Sequence, residues 1–232
     1  ESNADLGLAF DGDGDRLGVV DNKGKVIWAD HQMMLYAKDV LSRNKGAQII
    51  YDVKCTSLLP KLISENGGNP ILSRTGHSFI KKKLKETNAE LAGEMSGHIF
   101  FKERWYGFDD ALYTGARLLE IVSNSDKTCS EIFDELPVNL STPEININFE
   151  KHGQQYEAME SLSNNIDFPD ASVNTIDGFR VDYEDCWGLV RPSNTTPCLV
   201  LRFEGTGVAE LNKIQERFKK WLEGSGISAE NL

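Results

Sequence analysis

Apolar residues recur along the chain at two spacings, and the spacings alternate. Short apolar runs at 6–10 and 17–20 read as strands flanking the polar, glycine-containing run 11–16, which has to be a tight loop. A turn at 22–25 leads to a strand at 26–28. Met33, Tyr36, Ala37, Val40 and Leu41 then keep helical spacing behind Asp30, a candidate cap. Strands are expected at 48–53, 71–72, 90–92 and 98–101, and helices at 57–65, 78–86 and 109–122. Thr128-Cys129-Ser130-Glu131 has the form of a capping box, so a further short helix should start there and end before Pro137.

After Pro137 the pattern changes. Ile145, Ile147 and Phe149 alternate with polar residues as in a half-buried strand, and Tyr156, Met159 and Leu162 suit a helix. Asp177-Gly178, between 173–176 and 179–183, signals a hairpin. Strands follow at 187–190 and 198–203. Val208, Leu211, Ile214, Phe218, Trp221 and Leu222 form the apolar face of a closing helix. The expected fold class is α/β: a mixed-sheet, layered domain at 26–137, preceded at 1–25 by the last strands of another such domain and followed at 138–232 by a smaller α+β domain. The chain opens without Met on a strand that has nothing before it to pair with, so the expectation is a chain entered midway.

Composition narrows the function classes. The 232 residues are 40% hydrophobic and 26% charged, as in ordinary globular proteins. No apolar run approaches the roughly 20 residues that span a bilayer, and the opening residues lack a basic, apolar leader. The four cysteines lack ligand spacing and read as idle thiols in a reducing compartment, so a cytoplasmic location is expected. A net charge of -11 argues against nucleic-acid binding. It leaves room for a small anionic ligand held by a local cluster of cations.

Chemistry concentrates in four segments. Asp11-Gly12-Asp13-Gly14-Asp15-Arg16 packs three carboxylates into six residues, which repel one another unless a cation sits among them. A calcium EF-hand begins similarly but needs glycine where Arg16 stands and glutamate where Asn22 stands, so Mg²⁺ held by Asp11, Asp13 and Asp15 is the expectation. Arg191-Pro192-Ser193-Asn194-Thr195-Thr196-Pro197 offers a guanidinium, hydroxyls and an amide to an oxyanion, and also fits an ordinary polar turn. Gly93-Glu94-Met95-Ser96-Gly97-His98 joins two strands and presents groups suited to sugar hydroxyls, or makes a simple hairpin. Lys54 and Arg74-Thr75-Gly76-His77 follow strand ends, where α/β sheets gather ligand groups. The run Lys81-Lys82-Lys83 with Lys85 reads as a solvated helix face.

In this order and at these spacings the segments resemble the α-D-phosphohexomutase superfamily, and most closely its bacterial phosphomannomutase/phosphoglucomutase branch. The resemblance implies Mg²⁺ at Asp11, Asp13 and Asp15. It also implies sugar contacts from Glu94 and Ser96, substrate contacts from Thr75 and Gly76, and phosphate contacts from Arg191, Ser193, Asn194 and Thr195. Arg16, Lys54, His77 and His98 would line the cleft as catalytic or ligand groups. The implied reaction passes a phosphoryl group from a phosphoserine to a hexose 1- or 6-phosphate by way of a hexose 1,6-bisphosphate, which also serves as activator. GEMSGH in place of a GEES form, and Asn194 where phosphoglucosamine mutases carry Gly, favour mannose and glucose phosphates. The family's Thr-Ala-Ser-His-Asn-Pro type segment is not in these residues. The expected partners are therefore a phosphosugar and the missing N-terminal domains of the same protein, and the chain alone is expected to be inactive. The alternative expectation is a non-catalytic phosphosugar-binding or regulatory module.

Overall fold

The computed structural model of the chain describes residues 3–230 and Leu232. Glu1 and Ser2, on which part of the leader reading rests, lie outside the described residues, as does Asn231. Two compact units divide between Val138 and Asn139.

The first unit opens with a small antiparallel sheet of β1 (Leu6–Phe10), β2 (Leu17–Asp21) and β3 (Val26–Ile27). Helix α1 (Ala29–Arg43) leads into β4 (Gln48–Asp52), α2 (Leu58–Glu65), β5 (Asn69–Ser73), α3 (His77–Thr87), β6 (Leu91–Gly93) and β7 (Ile99–Phe101). These four strands form a mixed sheet in the order β5-β4-β6-β7, with β4 parallel to β5 and β6, and β7 antiparallel to β6. Strand β4 is apolar through its middle, Ile49-Ile50-Tyr51, because both of its faces are covered. Ile49 and Tyr51 join the core built by Met33, Met34, Leu59 and Ile63 from α1 and α2, while Ile50 joins Ile80 and Leu84 from α3. Helices α4 (Ala111–Ser123) and α5 (Cys129–Asp134) complete the unit.

The Thr128/Glu131 capping box is present at α5. Asp30, expected as a cap, lies inside α1 instead. Its buried carboxylate accepts the backbone N–H groups of His31 and Thr56, and the second of these ties α1 to the segment after β4. Gly93 shows why β6 and α1 can meet so closely: a Cβ there would stand 2.3 Å from Met33 Sδ.

The second unit is antiparallel. Its sheet runs β10 (Ser172–Asn174), β11 (Phe179–Asp182), β12 (Cys186–Pro192), β13 (Cys198–Gly205) and β8 (Leu140–Ser141), with β9 (Ile145–Asn148) also paired to β13. Helices α6 (Gln154–Ser163) and α7 (Val208–Gly224) cover it, and Phe168, Phe203, Phe218 and Trp221 meet edge to ring in its core. The Asp177-Gly178 hairpin forms with a longer loop than the expected two residues, since Asn174 pairs with Arg180. Asn174 Oδ1 accepts the N–H of Ile176 and pulls Thr175 and Ile176 out of the strand. The fold is α/β, a layered mixed-sheet unit followed by a smaller α+β one.

Candidate active site

The Asp11–Arg16 loop is the hairpin between β1 and β2, flanked by strands and not by the helices of a calcium hand. Asp11 Oδ1 accepts the backbone N–H groups of Asp15 and Arg16 at 3.1 Å each, and its Oδ2 accepts from Arg16 Nε at 2.5 Å. That guanidinium contact holds the Asp11 carboxyl down at about 2. Asp15 is raised, by burial and by Asp13, Asp11 and Asp109, against an opposing pull from His98. Oxygens of Asp11, Asp13 and Asp15 lie within 4.8 Å of one another. An all-oxygen donor set on a short loop fits a hard divalent cation such as Mg²⁺.

The loop from Gly93 to His98 joins β6 to β7 and is stitched to the aspartate loop by backbone. Leu17 N–H donates to Gly97 O at 3.3 Å, and Arg16 and His98 form an isolated β-bridge. Gly14 O in turn accepts from Ala111 N–H at the start of α4, at 3.0 Å. Within this assembly Glu94 is buried. It accepts from the backbone N–H of Gly76 and from Ser96 Oγ. Gly76 holds φ at 130°, a conformation open to glycine, and in it aims its N–H at Glu94 from the start of α3. Burial, then the charge of Asp52, push Glu94 up to about 7, against the pull of Gly76, Lys54 and Ser96.

Asp52, which belongs to none of the four sequence motifs, organises this corner. Fully buried at the end of β4, it accepts from Thr75 Oγ1 at 3.0 Å, Cys55 Sγ at 3.1 Å, and the backbone N–H groups of Lys54 and Met95 at 3.3 Å. Its signal in the sequence is its place at the C-terminal end of an apolar parallel strand. Lys54, Thr75, Gly76, Glu94 and Ser96 thus come together around Asp52.

His77 and His98 gather around a second acid, Asp109, while Arg16 stays with Asp11 and Asp15 and meets His98 through the backbone bridge. Asp109 Oδ2 lies 3.1 Å from His98 Nδ1 and 3.4 Å from His77 Nδ1, and its Oδ1 accepts from Lys81 Nζ at 3.0 Å. The two imidazoles stack with centroids 5.4 Å apart, and Asp15 Oδ2 is 3.5 Å from His98 Nδ1. The solvated-face reading of the lysine run therefore fails at Lys81, which the α3 turn carries inward to Asp109. Lys82 pairs with Glu86 on the outside, as expected of a solvated face.

In the second unit Arg191 and Pro192 belong to β12 and not to a loop. Arg191 is buried and its Nε donates to Asp177 Oδ2 at 2.9 Å. Ser193 is buried too, its Oγ 2.8 Å from Thr196 Oγ1 and accepting the N–H groups of Thr195 and Thr196. Asn194 and Thr195 are exposed at the tip. All four cysteines are buried free thiols, and burial raises Cys129 and Cys186 to about 11, which leaves them inert. No described helix is long and apolar enough to cross a membrane.

A layered unit carrying a triple-aspartate loop against a Glu/Ser/His loop, followed by an antiparallel unit with an Arg/Ser/Asn/Thr turn, has the features of the phosphohexomutase class. The chain belongs to the phosphoglucomutase/phosphomannomutase family: the model of its alpha/beta/alpha domain III matches residues 28–140, and that of its C-terminal domain matches residues 144–220. It is 55% identical over 222 residues to a phosphomannomutase/phosphoglucomutase of Pseudomonas putida, and 54% identical over 224 residues to a phosphoglucomutase of Neisseria gonorrhoeae, covering 96% of this chain and 48% of each relative. A crystal structure of a phosphoglucomutase/phosphomannomutase family protein from Burkholderia thailandensis superposes with a TM-score of 0.92 at 52% identity, over 99% of this chain and 48% of that one. The chain spans about half the length of the curated relatives it matches.

Proposed function

We propose that this chain is the sugar- and phosphate-recognising half of a cytoplasmic hexose-phosphate mutase acting on mannose and glucose phosphates. The observation that carries the reading is the backbone stitching of the aspartate loop to the Gly93–His98 loop, which brings carboxylates suited to a divalent cation beside groups suited to sugar hydroxyls. Asp11, Asp13 and Asp15 would hold Mg²⁺, which neutralises charge on phosphoryl oxygens.

Glu94 and Ser96 take sugar hydroxyls, with Thr75 and the Gly76 backbone beside them. Lys54, His77, His98 and Arg16 supply cations and proton-carrying groups around the transferred phosphoryl group. Arg191, Ser193, Asn194 and Thr195 grip the phosphate that is not being transferred. Arg191 serves that grip through the edge of its guanidinium not used by Asp177, while Asn194 and Thr195 offer exposed donors. The reaction moves a phosphoryl group from a phosphoserine to the sugar, and the resulting 1,6-bisphosphate returns its other phosphate after turning around. Because no phosphoserine segment of that kind lies in these 232 residues, they do not turn over alone.

The test is exchange between glucose 1-phosphate and glucose 6-phosphate, with Mg²⁺ and glucose 1,6-bisphosphate, by the full-length protein and by the 232-residue chain separately. Activity in the full-length protein only is expected. Turnover by the chain alone, or none by either, overturns the reading.

A further inference from the structure

We propose that Asp109 is the positioning residue for His98, holding the imidazole with its proton on Nδ1 so that Nε2 presents a lone pair to a bound phosphosugar. The inference rests on the mutase reading for the ligand, but its structural half stands on this chain alone.

His98 Nδ1 faces Asp109 Oδ2 at 3.1 Å. A nitrogen lone pair aimed at a carboxylate is repelled, whereas an N–H aimed at it is attracted, so the neutral ring carries its hydrogen on Nδ1 and its lone pair on Nε2. Both His98 Nδ1 and Asp109 Oδ2 are buried, and neither makes a well-aligned hydrogen bond among the described residues, with the other or elsewhere. At 3.1 Å each is the group best placed to satisfy the other.

Asp109 is held in place to do this. Its side chain is 7% exposed, and Lys81 Nζ anchors Oδ1 at 3.0 Å. A bridge to Phe100 fixes its backbone beside β7, one residue before Asp110 caps α4. The same Oδ2 lies 3.4 Å from His77 Nδ1, and the stacked His77 ring closes the far side of His98. Asp109 thus fixes two of the imidazoles from the rigid end of a helix, and so carries the second half of a constellation whose first half is the aspartate loop.

The spectroscopic test uses the 232-residue chain, with the side-chain nitrogens of His98 recorded by long-range ¹H–¹⁵N correlation at a pH where the ring is neutral. The expected spectrum has the proton on Nδ1. Asp109→Ala should move the majority to Nε2, and Asp109→Glu should restore the original ratio. A wild-type ring protonated on Nε2, or a ratio unchanged in Asp109→Ala, overturns the proposal. The wild-type spectrum decides even where the variant does not fold. In the full-length enzyme Asp109→Ala should lower kcat about 100-fold, the scale of a misplaced reacting group, with KM changed less than about threefold. A loss confined to KM overturns the proposal. An inactive wild type would overturn the mutase reading and leave the tautomer result standing.

Discussion

Glu94 accepts a hydrogen bond from the backbone N–H of Gly76, joining the loop after β6 to the first turn of α3. Burial, and then the charge of Asp52, raise the carboxyl from 4.5 to about 7 even though the Gly76 contact pulls it down. A raised carboxyl favours the protonated folded state, so its contribution to stability is complete below pH 4.5 and is lost as pH climbs to about 7. Glu94→Gln should abolish that dependence, flattening the wild-type decline over this window by about 3 kcal/mol. Urea unfolding of both proteins at pH 5 and pH 7.5 measures the difference, and parallel curves would remove Glu94 as its source.

Arg191 and Asp177 form a buried pair 2.9 Å apart. Arg191→Ala should weaken phosphosugar binding and also remove one buried charge-assisted hydrogen bond to Asp177, costing about 1.5–3 kcal/mol. Thermal unfolding separates the two effects: a variant as stable as wild type that still loses binding would show that the pair has no structural role.

Asp13 is exposed, while Asp11 has both oxygens committed to the loop's own backbone and to Arg16. Asp13→Asn should therefore weaken Mg²⁺ binding about tenfold, the effect of about 1.4 kcal/mol, and leave the fold intact, whereas Asp11→Asn should also loosen the hairpin. Calorimetric titration with Mg²⁺, set beside melting curves, checks both halves. Equal melting temperatures for the two variants would sink the distinction.

Gly93 has no room for a side chain, since its Cβ would meet Met33 Sδ at 2.3 Å. Gly93→Ala should cost about 1–3 kcal/mol from overpacking, and shortening the opposing residue as Met33→Ala in the double variant should recover part of it. Losses that simply add in the double variant would place the strain elsewhere.

The sequence by itself determined the order of elements, apart from the two-residue strand β8, and the chemistry of four loops. The glycine-spaced aspartates, the apolar run of β4, the capping box at Thr128 and the two spacings of apolar residues are local facts, written in neighbouring residues. Strand and helix termini shifted by only a residue or two. Tertiary structure decided which of those groups meet. Asp52 and Asp109 resemble any other acid at the end of an element, and become organisers only because β4, β6, β7 and the start of α4 converge on one loop. Lys81 cannot be told from Lys82 until the helix is docked and one of them points at Asp109. Arg191 reads as a loop cation until β12 buries it against Asp177, more than a dozen residues back in the chain. Local propensity is set by neighbours along the backbone, whereas burial, charge pairing and the shift of Glu94 depend on contacts that exist only after the sheet and helices have packed.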